Sequence, residues 1–158
     1  MVKGLAELAL KRPDLYVDAV TKLKRIGDEV ATYEGISVGL DDIEPDYKLR
    51  DPIIKKYSDK INQLPLGKRR EDLLLKAQEE LLEVTRQHKG DMGLQARSGG
   101  RGNIPQLMKA VTTPLMSQDW DDNIIPWMVK RSYSEGLRPS ELWVTAGEAR
   151  KNTIMGVT

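Results

Sequence analysis

Apolar residues recur at helical spacing along most of the chain, and this pattern predicts a mainly α fold. In the segment KRREDLLLKAQEELLEVTRQHKG, Leu74, Leu81 and Leu82 lie near helical spacing, with acid–base pairs around the rest of the surface. The predicted helices cover residues 2–11, Pro13 to about Gly27, 46–63, 68–89, 103–117, and a last segment from about Pro139 onward. We expect a small helical body that includes one short extended segment.

Two of the predicted helices, 46–63 and 68–89, are joined by the segment LPLGK. Pro65 and Gly67 favour a turn there. A short loop between two long helices predicts an antiparallel helical hairpin. Its many charges indicate a solvated face, and a docking surface for a partner is the functional alternative.

The extended segment is predicted just before this hairpin. Ile36, Val38 and Leu40 alternate with small residues, which is typical of a short strand. We expect one domain over residues 1–158, made of four regions. These are two helices and a short strand at 1–45, the hairpin at 46–89, a loop and a helix at 90–138, and a last helix at 139–158.

Composition excludes several classes of protein. The chain has 158 residues, of which 31% are charged, and a formal net charge of +1, so bulk charge would not hold it on nucleic acid. It has no cysteine and one histidine, which excludes disulfides, thiolate metal sites and histidine-rich metal sites. No apolar run approaches the roughly 20 residues that span a bilayer. We therefore expect a cytoplasmic protein without a membrane partner.

The stretch RSGGRGNIPQL, residues 97–107, carries the clearest candidate chemistry. Its first six residues include three glycines and two arginines. Glycine lets a ligand approach the main chain, and an arginine fork matches phosphate. Spacing alone nevertheless favours a flexible connector between helices, because this is neither a Walker loop nor a dinucleotide fingerprint.

Other candidate ligands and catalysts are weaker. Asp41 and Asp42 are adjacent, so their carboxylates point apart, and a turn or capping role explains them better than a metal. Residues 119–122 contain three aspartates but lack the pattern of a calcium loop. His88, near a predicted helix C-terminus, is expected on the surface. We predict no catalytic residue and no metal site in this chain.

Four motifs in order carry a resemblance to a known family. They are GISVGLDDIEP at 35–45, the charged hairpin at 46–89, SGGRGNIPQL at 98–107, and SYSEGLRPSELWVTAGEARKN at 132–152. Together they resemble the pore (funnel) region of the largest subunit, beta-prime, of multi-subunit DNA-directed RNA polymerases, continuing into the first part of the bridge helix. The resemblance covers most of the chain and is weak over its N-terminal part.

This resemblance implies roles for particular residues. The glycine loop would face the secondary channel, through which nucleoside triphosphates enter and pyrophosphate leaves. Arg101, Asn103 and Gln106 would then be substrate-binding residues, and Arg150 and Lys151 would be nucleic-acid or bridge-helix residues. The implied partners are other polymerase subunits or fragments, nucleoside triphosphates, and DNA and RNA in the assembled complex. The chain itself would need no cofactor, because magnesium is expected only in the assembled polymerase.

The sequence also departs from the family pattern. Gly100 replaces an alanine, Ser134 an arginine, Glu148 a glycine, and Met155, Gly156 and Val157 replace Asp-Thr-Ala. The catalytic aspartate loop and the trigger loop are not in this sequence, so we expect no RNA synthesis by the chain alone. Two hypotheses stay open. The chain is part of a split or diverged polymerase, as in large bacteriophages and hence in the host cytoplasm, or it is a non-enzymatic interaction or structural protein with a borrowed fold.

Overall fold

The computed structural model describes residues 2–157 and confirms the mainly α fold. Within that range the helices are α1 Val2–Lys11, α2 Pro13–Glu34, α3 Tyr47–Gln63, α4 Lys68–Thr85, α5 Asp91–Ser98, α6 Ile104–Val111 and α7 Pro139–Val157. Two short strands, β1 Ser117–Gln118 and β2 Ile124–Ile125, pair antiparallel, with Ser117 opposite Ile125. The chain divides into two compact units, one up to Ser37 and the other from Val38 onward. A single domain over residues 1–158 stays a prediction.

The first unit is formed by α1 and α2, which pack against each other. The prediction that α2 stops near Gly27 is wrong, because the helix continues to Glu34. Gly35 ends it instead with a positive φ of 58°, and its N–H donates to the carbonyl of Ala31 at 3.2 Å. A glycine inside a helix lowers its stability by only about 1 kcal/mol, which does not suffice to end it.

The strand predicted around residues 36–40 does not form. Val38 and Leu40 are 49% and 83% exposed, and this irregular segment leads into a 3-10 turn at Asp41–Ile43. An alternating pattern makes a strand only where a neighbouring strand accepts its backbone hydrogen bonds. Among the described residues the sheet lies elsewhere, at β1 and β2.

The helical hairpin predicted at 46–89 is confirmed as α3 and α4, which pack side by side. Asp46 caps α3, since its side chain accepts a hydrogen bond from the N–H of Leu49 at 3.2 Å. The helices bury a shared apolar seam against the rest of the second unit. Its members include Ile53, Ile61, Leu74, Ala77 and Leu81.

The second hairpin helix is shorter than predicted and ends at Thr85 rather than at residue 89. The hydroxyl of Thr85 donates back to the carbonyl of Leu81 at 2.6 Å. The Arg97 guanidinium then donates to the carbonyls of Arg86 and His88, which follow the helix. Arg97 is therefore a local, structural arginine.

The helix predicted over 103–117 is also shorter and ends at Val111. Pro114 cannot continue a helix, and the chain on either side of it is irregular and buried, with Leu115 at a φ of 60°. The Thr113 hydroxyl donates to the carbonyl of Val129 at 2.8 Å, and the N–H of Val129 donates to the carbonyl of Leu115 at 2.8 Å. The β1 strand packs against the middle of α7, where the Ser117 hydroxyl donates to the Glu148 carboxylate at 2.9 Å.

Candidate functional site

The site begins at a turn organised by Asp42. One carboxylate oxygen accepts a hydrogen bond from the N–H of Gly39 at 2.9 Å, and the other accepts from the N–H of Asp91, the first residue of α5, at 3.0 Å. Asp42 therefore closes a turn and caps a distant helix, as the turn or capping role predicts. Gly90 has a φ of 95°, and a Cβ there would lie 2.3 Å from the Asp42 carboxylate.

Helix α5 is missing from the sequence-based prediction. Its signals are nevertheless in the sequence, with Asp91 in the first turn and Gly99, at a φ of 76°, just past the last residue. The glycine-rich run made the whole segment look like a loop. Gly93 lets α5 approach the end of α4, because a Cβ there would lie 2.4 Å from the carbonyl oxygen of His88.

The glycine loop connects α5 to α6 and is held at both ends. At its start, the N–H of Arg101 donates to the carbonyl of Gln95 at 3.4 Å. At its end, the Asn103 side-chain oxygen accepts from the N–H of Gln106 at 2.8 Å and caps α6. Gly102, with a φ of 68°, supplies the left-handed turn between them.

Arg101, Asn103 and Gln106 line one pocket of about 260 Å³. Its wall is mainly apolar and comes from the segment before α3, from α5 and from α6. The apolar side chains are those of Val38, Ile43, Met92, Ala96 and Leu107. The Arg101 guanidinium is exposed and forms no ion pair within residues 2–157. Among the described residues, the pocket lining therefore has one cation without an ion pair and three amides, those of Gln95, Asn103 and Gln106.

The structure separates the two basic residues predicted on the last helix. Lys151 is buried, and its ammonium donates to the carbonyl of Asp119 at 3.2 Å and to the carboxylate of Asp122. Arg150 is exposed. Lys151 thus ties α7 to the β1–β2 turn, and Arg150 alone presents its charge to solvent.

Comparison with known proteins gives a consistent result. No family model matches the chain. A DNA-directed RNA polymerase subunit beta'' from Bigelowiella natans is 28% identical over 156 residues, covering 87% of this chain. A subunit beta' from Bifidobacterium adolescentis is 30% identical over 144 residues, covering 82%, and one from Campylobacter lari is 27% identical over 170 residues, covering 95%. This chain is a beta-prime-like region.

The beta-prime-like region is small relative to these proteins. It spans 10% of the length of the Bigelowiella natans subunit and 11% of the Bifidobacterium adolescentis and Campylobacter lari subunits. The matches cover most of this chain at 27–30% identity. This short share of their length does not by itself establish the activity, substrates or partners of a whole polymerase for this chain.

One prediction about the beta-prime-like region is wrong: His88 is 8% exposed rather than on the surface. Its Nδ1 lies 3.0 Å from an Asp46 carboxylate oxygen, so it braces the end of α4 against the start of α3. A hydrogen bond between residues 42 positions apart leaves no local pattern.

The aspartates at 119–122 form a turn in the beta-prime-like region. The Asp119 carboxylate accepts from the N–H groups of Asp121 and Asn123, each at 2.9 Å. Its pKa is lowered chiefly by hydrogen bonds from Asn123. Across residues 2–157, no group of three or more histidine, aspartate or glutamate side chains could hold a metal ion. No helix in the same range is long and apolar enough to span a membrane.

Proposed function

We propose that the chain forms the secondary-channel (pore or funnel) region of a multi-subunit DNA-directed RNA polymerase. The observation that carries this proposal is the shared pocket of Arg101, Asn103 and Gln106, in a chain whose relatives are named beta' and beta'' subunits of that enzyme. The α3–α4 hairpin corresponds in order and position to the rim helices. Helix α7 corresponds to the first part of the bridge helix.

In this role Arg101 holds the triphosphate of an incoming nucleotide. Its guanidinium forms no ion pair in the part of the chain that the structure describes, and a charge-assisted bond to phosphate is strong and directional. Asn103 uses its side-chain oxygen to cap α6, so its NH₂ group is what it offers to a ligand. Gln106, in the first turn of α6, offers both its amide oxygen and its amide nitrogen. The chain binds and orients the substrate, and the reaction itself belongs to the assembled enzyme.

The proposed partners follow from the same role. They are the other polymerase subunits or fragments, nucleoside triphosphates, and DNA and RNA in the assembled complex. The metal chemistry of the enzyme, Mg²⁺, is assigned to the rest of the assembly, since the described residues offer no cluster of metal ligands. A diverged bacteriophage polymerase working in the host cytoplasm fits the departures at Ser134, Glu148 and Met155.

The test is a nucleotide titration of the complex purified through a tag on the full chain. Arg101→Ala should raise the apparent KM for nucleotides about ten-fold or more, as loss of a charged phosphate contact predicts. Arg101→Lys should restore only part of the affinity, because a point charge cannot reproduce the fork. Arg69→Ala, an exposed arginine on α4, is the matched control. Unchanged nucleotide dependence in Arg101→Ala would remove this residue from the site.

One observation favours a second candidate function, a non-enzymatic interaction or structural protein. Lys151, expected by resemblance to serve the nucleic acid, has its ammonium engaged by Asp119 and Asp122. The same purification separates the two candidates. Polymerase subunits and RNA synthesis in the tagged complex support the first, and a complex with neither supports the second.

A further inference from the structure

We propose that the chain carries a second anion site, separate from the Arg101 pocket, that binds a phosphate-type oxyanion. It is a pocket of about 220 Å³ between the start of α4 and the start of α7. Arg70 on α4 and Lys130 and Arg138 before α7 bring three cationic side chains to its lining. The proposal does not rest on the polymerase role and stands or falls independently of it.

Arg70 is partly buried, Lys130 and Arg138 are exposed, and in the described part of the chain none of the three has a carboxylate partner of the kind that Arg50 and Lys109 have. Within residues 2–157, none of Arg70, Lys130 and Arg138 forms an ion pair with a carboxylate. The Nε atom of Arg70 is buried without a hydrogen-bond partner among the described residues. By contrast, Arg50 pairs with Glu135 at 2.6 Å and Lys109 with Glu148 at 2.7 Å.

The buried Nε donor of Arg70 without a partner is costly, and the three like charges around the pocket repel one another. Lys130 donates one N–H to the hydroxyl of Ser58 at 2.8 Å, which leaves its ammonium two further donors. A bound oxyanion would accept from these donors, from Arg70 and from Arg138, and would remove the repulsion. The lining of this pocket thus has more hydrogen-bond donors than acceptors, and it carries a net positive charge.

One carboxylate, that of Glu141, also lines this pocket. It is 5% exposed, and its two oxygens accept from the backbone N–H of Lys130 at 2.8 Å and of Arg138 at 3.0 Å. Its role is to fix the backbone on both sides of the pocket. Three cations and one carboxylate still leave a formal charge of +2 in the lining, so an anion is favoured over a metal cation.

Phosphate suits this lining better than a carboxylate would. The donors come from three separate chain segments, and a tetrahedral oxyanion offers acceptors in all those directions. Ser140, in the first turn of α7, adds a hydroxyl beside a helix N-terminus, where negative charge is stabilised. Free phosphate, pyrophosphate and the phosphate of a nucleotide share this chemistry.

The experiment is a calorimetric and NMR titration of the full chain with inorganic phosphate, pyrophosphate and adenosine monophosphate at constant ionic strength. Saturable binding is expected, with chloride as the non-binding reference. Arg70→Met and Arg138→Met should each weaken binding about ten-fold or more, as expected for a charged contact. Arg70→Lys should keep part of it. Arg69→Met, at an exposed position on α4 outside this lining, should leave this affinity unchanged.

Two results would overturn the proposal. One is the absence of saturable binding by all three probes. The other is binding that Arg101→Ala removes and that Arg70→Met and Arg138→Met leave intact in folded protein, checked by circular dichroism. If phosphate and pyrophosphate bind as well as the nucleotide, the free anion is the ligand. If only the nucleotide binds, and does so through Arg70, the site takes a nucleotide phosphate.

Discussion

Arg50 and Glu135 are 85 residues apart in sequence, and the guanidinium Nη1 of the first lies 2.6 Å from the carboxylate Oε2 of the second. Their side chains are 10% and 21% exposed. Asp51 adds a second carboxylate at 2.8 Å from the guanidinium. Burial lowers the pKa of Arg50, but the hydrogen bonds to Glu135 and Asp51 outweigh it and raise the pKa above its ordinary value. The pair joins α3 to the turn that leads into α7.

Arg50→Met should therefore lower the free energy of unfolding by about 2–4 kcal/mol, because it leaves the Glu135 carboxylate largely buried and unpaired. Urea unfolding of the full chain measures this change. Arg69→Met, at an exposed position on the same hairpin, should stay within about 0.5 kcal/mol of the parent. Adding Glu135→Gln to Arg50→Met should recover part of the loss. Strictly additive effects of the two substitutions would contradict a coupled pair.

Gly93→Ala and Gly147→Ala should shift stability in opposite directions. A Cβ at Gly93 would lie 2.4 Å from the His88 carbonyl oxygen and 2.9 Å from the Arg97 guanidinium, so α5 must move away from α4. We expect a loss of about 1–3 kcal/mol, typical of overpacking. At Gly147 a Cβ has nothing within 4 Å. Alanine there should stabilise α7 by up to about 1 kcal/mol. Thermal unfolding compares the two, and equal effects would argue against the close helix approach.

Features that depend on local spacing were predictable from the sequence, and features that depend on distant partners were not. The α3–α4 hairpin follows from the spacing of Leu74 and Leu81 and from the turn residues between the helices. Arg101, Asn103 and Gln106 lie within six residues, so their convergence follows from one loop and one helix start. The burial of His88 and the contact between Lys151 and Asp122 could not be predicted, because each side chain meets a carboxylate far away in sequence. No periodicity records such contacts.

The free energy of unfolding should decrease in acid, because the Glu80 carboxylate becomes protonated. Its carboxylate accepts two hydrogen bonds from the Lys56 ammonium, at 2.8 and 2.7 Å, and one from the Tyr57 hydroxyl at 2.9 Å. The Lys56 hydrogen bonds are the main cause that lowers the pKa of Glu80 below its ordinary value of 4.5. A lowered folded-state pKa means that the stabilisation is present above the unfolded pKa and is lost as pH falls through the folded one.

Glu80→Gln should therefore make the melting temperature depend less on pH below about 4.5, with the difference from the parent shrinking as acid is added. Melting curves between about pH 6 and pH 3 measure this. Glu79→Gln, at the exposed neighbouring position, should keep the acid dependence of the parent. A parallel shift of the Glu80→Gln curve at all pH values would mean that the Glu80 charge has no role in the acid response.

The neighbouring residues Arg150 and Lys151 should have different roles. Lys151 should stabilise the fold, and Arg150 should act in binding. Lys151→Met should cost about 1–3 kcal/mol of unfolding free energy, because the Asp119 carbonyl loses its charged donor and α7 loses its tie to the β1–β2 turn. Arg150→Met should change stability by no more than about 0.5 kcal/mol.

If α7 contacts nucleic acid in the assembled complex, Arg150→Met should reduce the salt dependence of binding by about one unit of slope. Unfolding measurements and salt-dependent binding titrations on both variants give the result. The opposite result would be a Lys151→Met protein that keeps its stability and binds nucleic acid as weakly as Arg150→Met. Lys151 would then belong to the nucleic-acid surface, and its contact with Asp122 would not stabilise the fold.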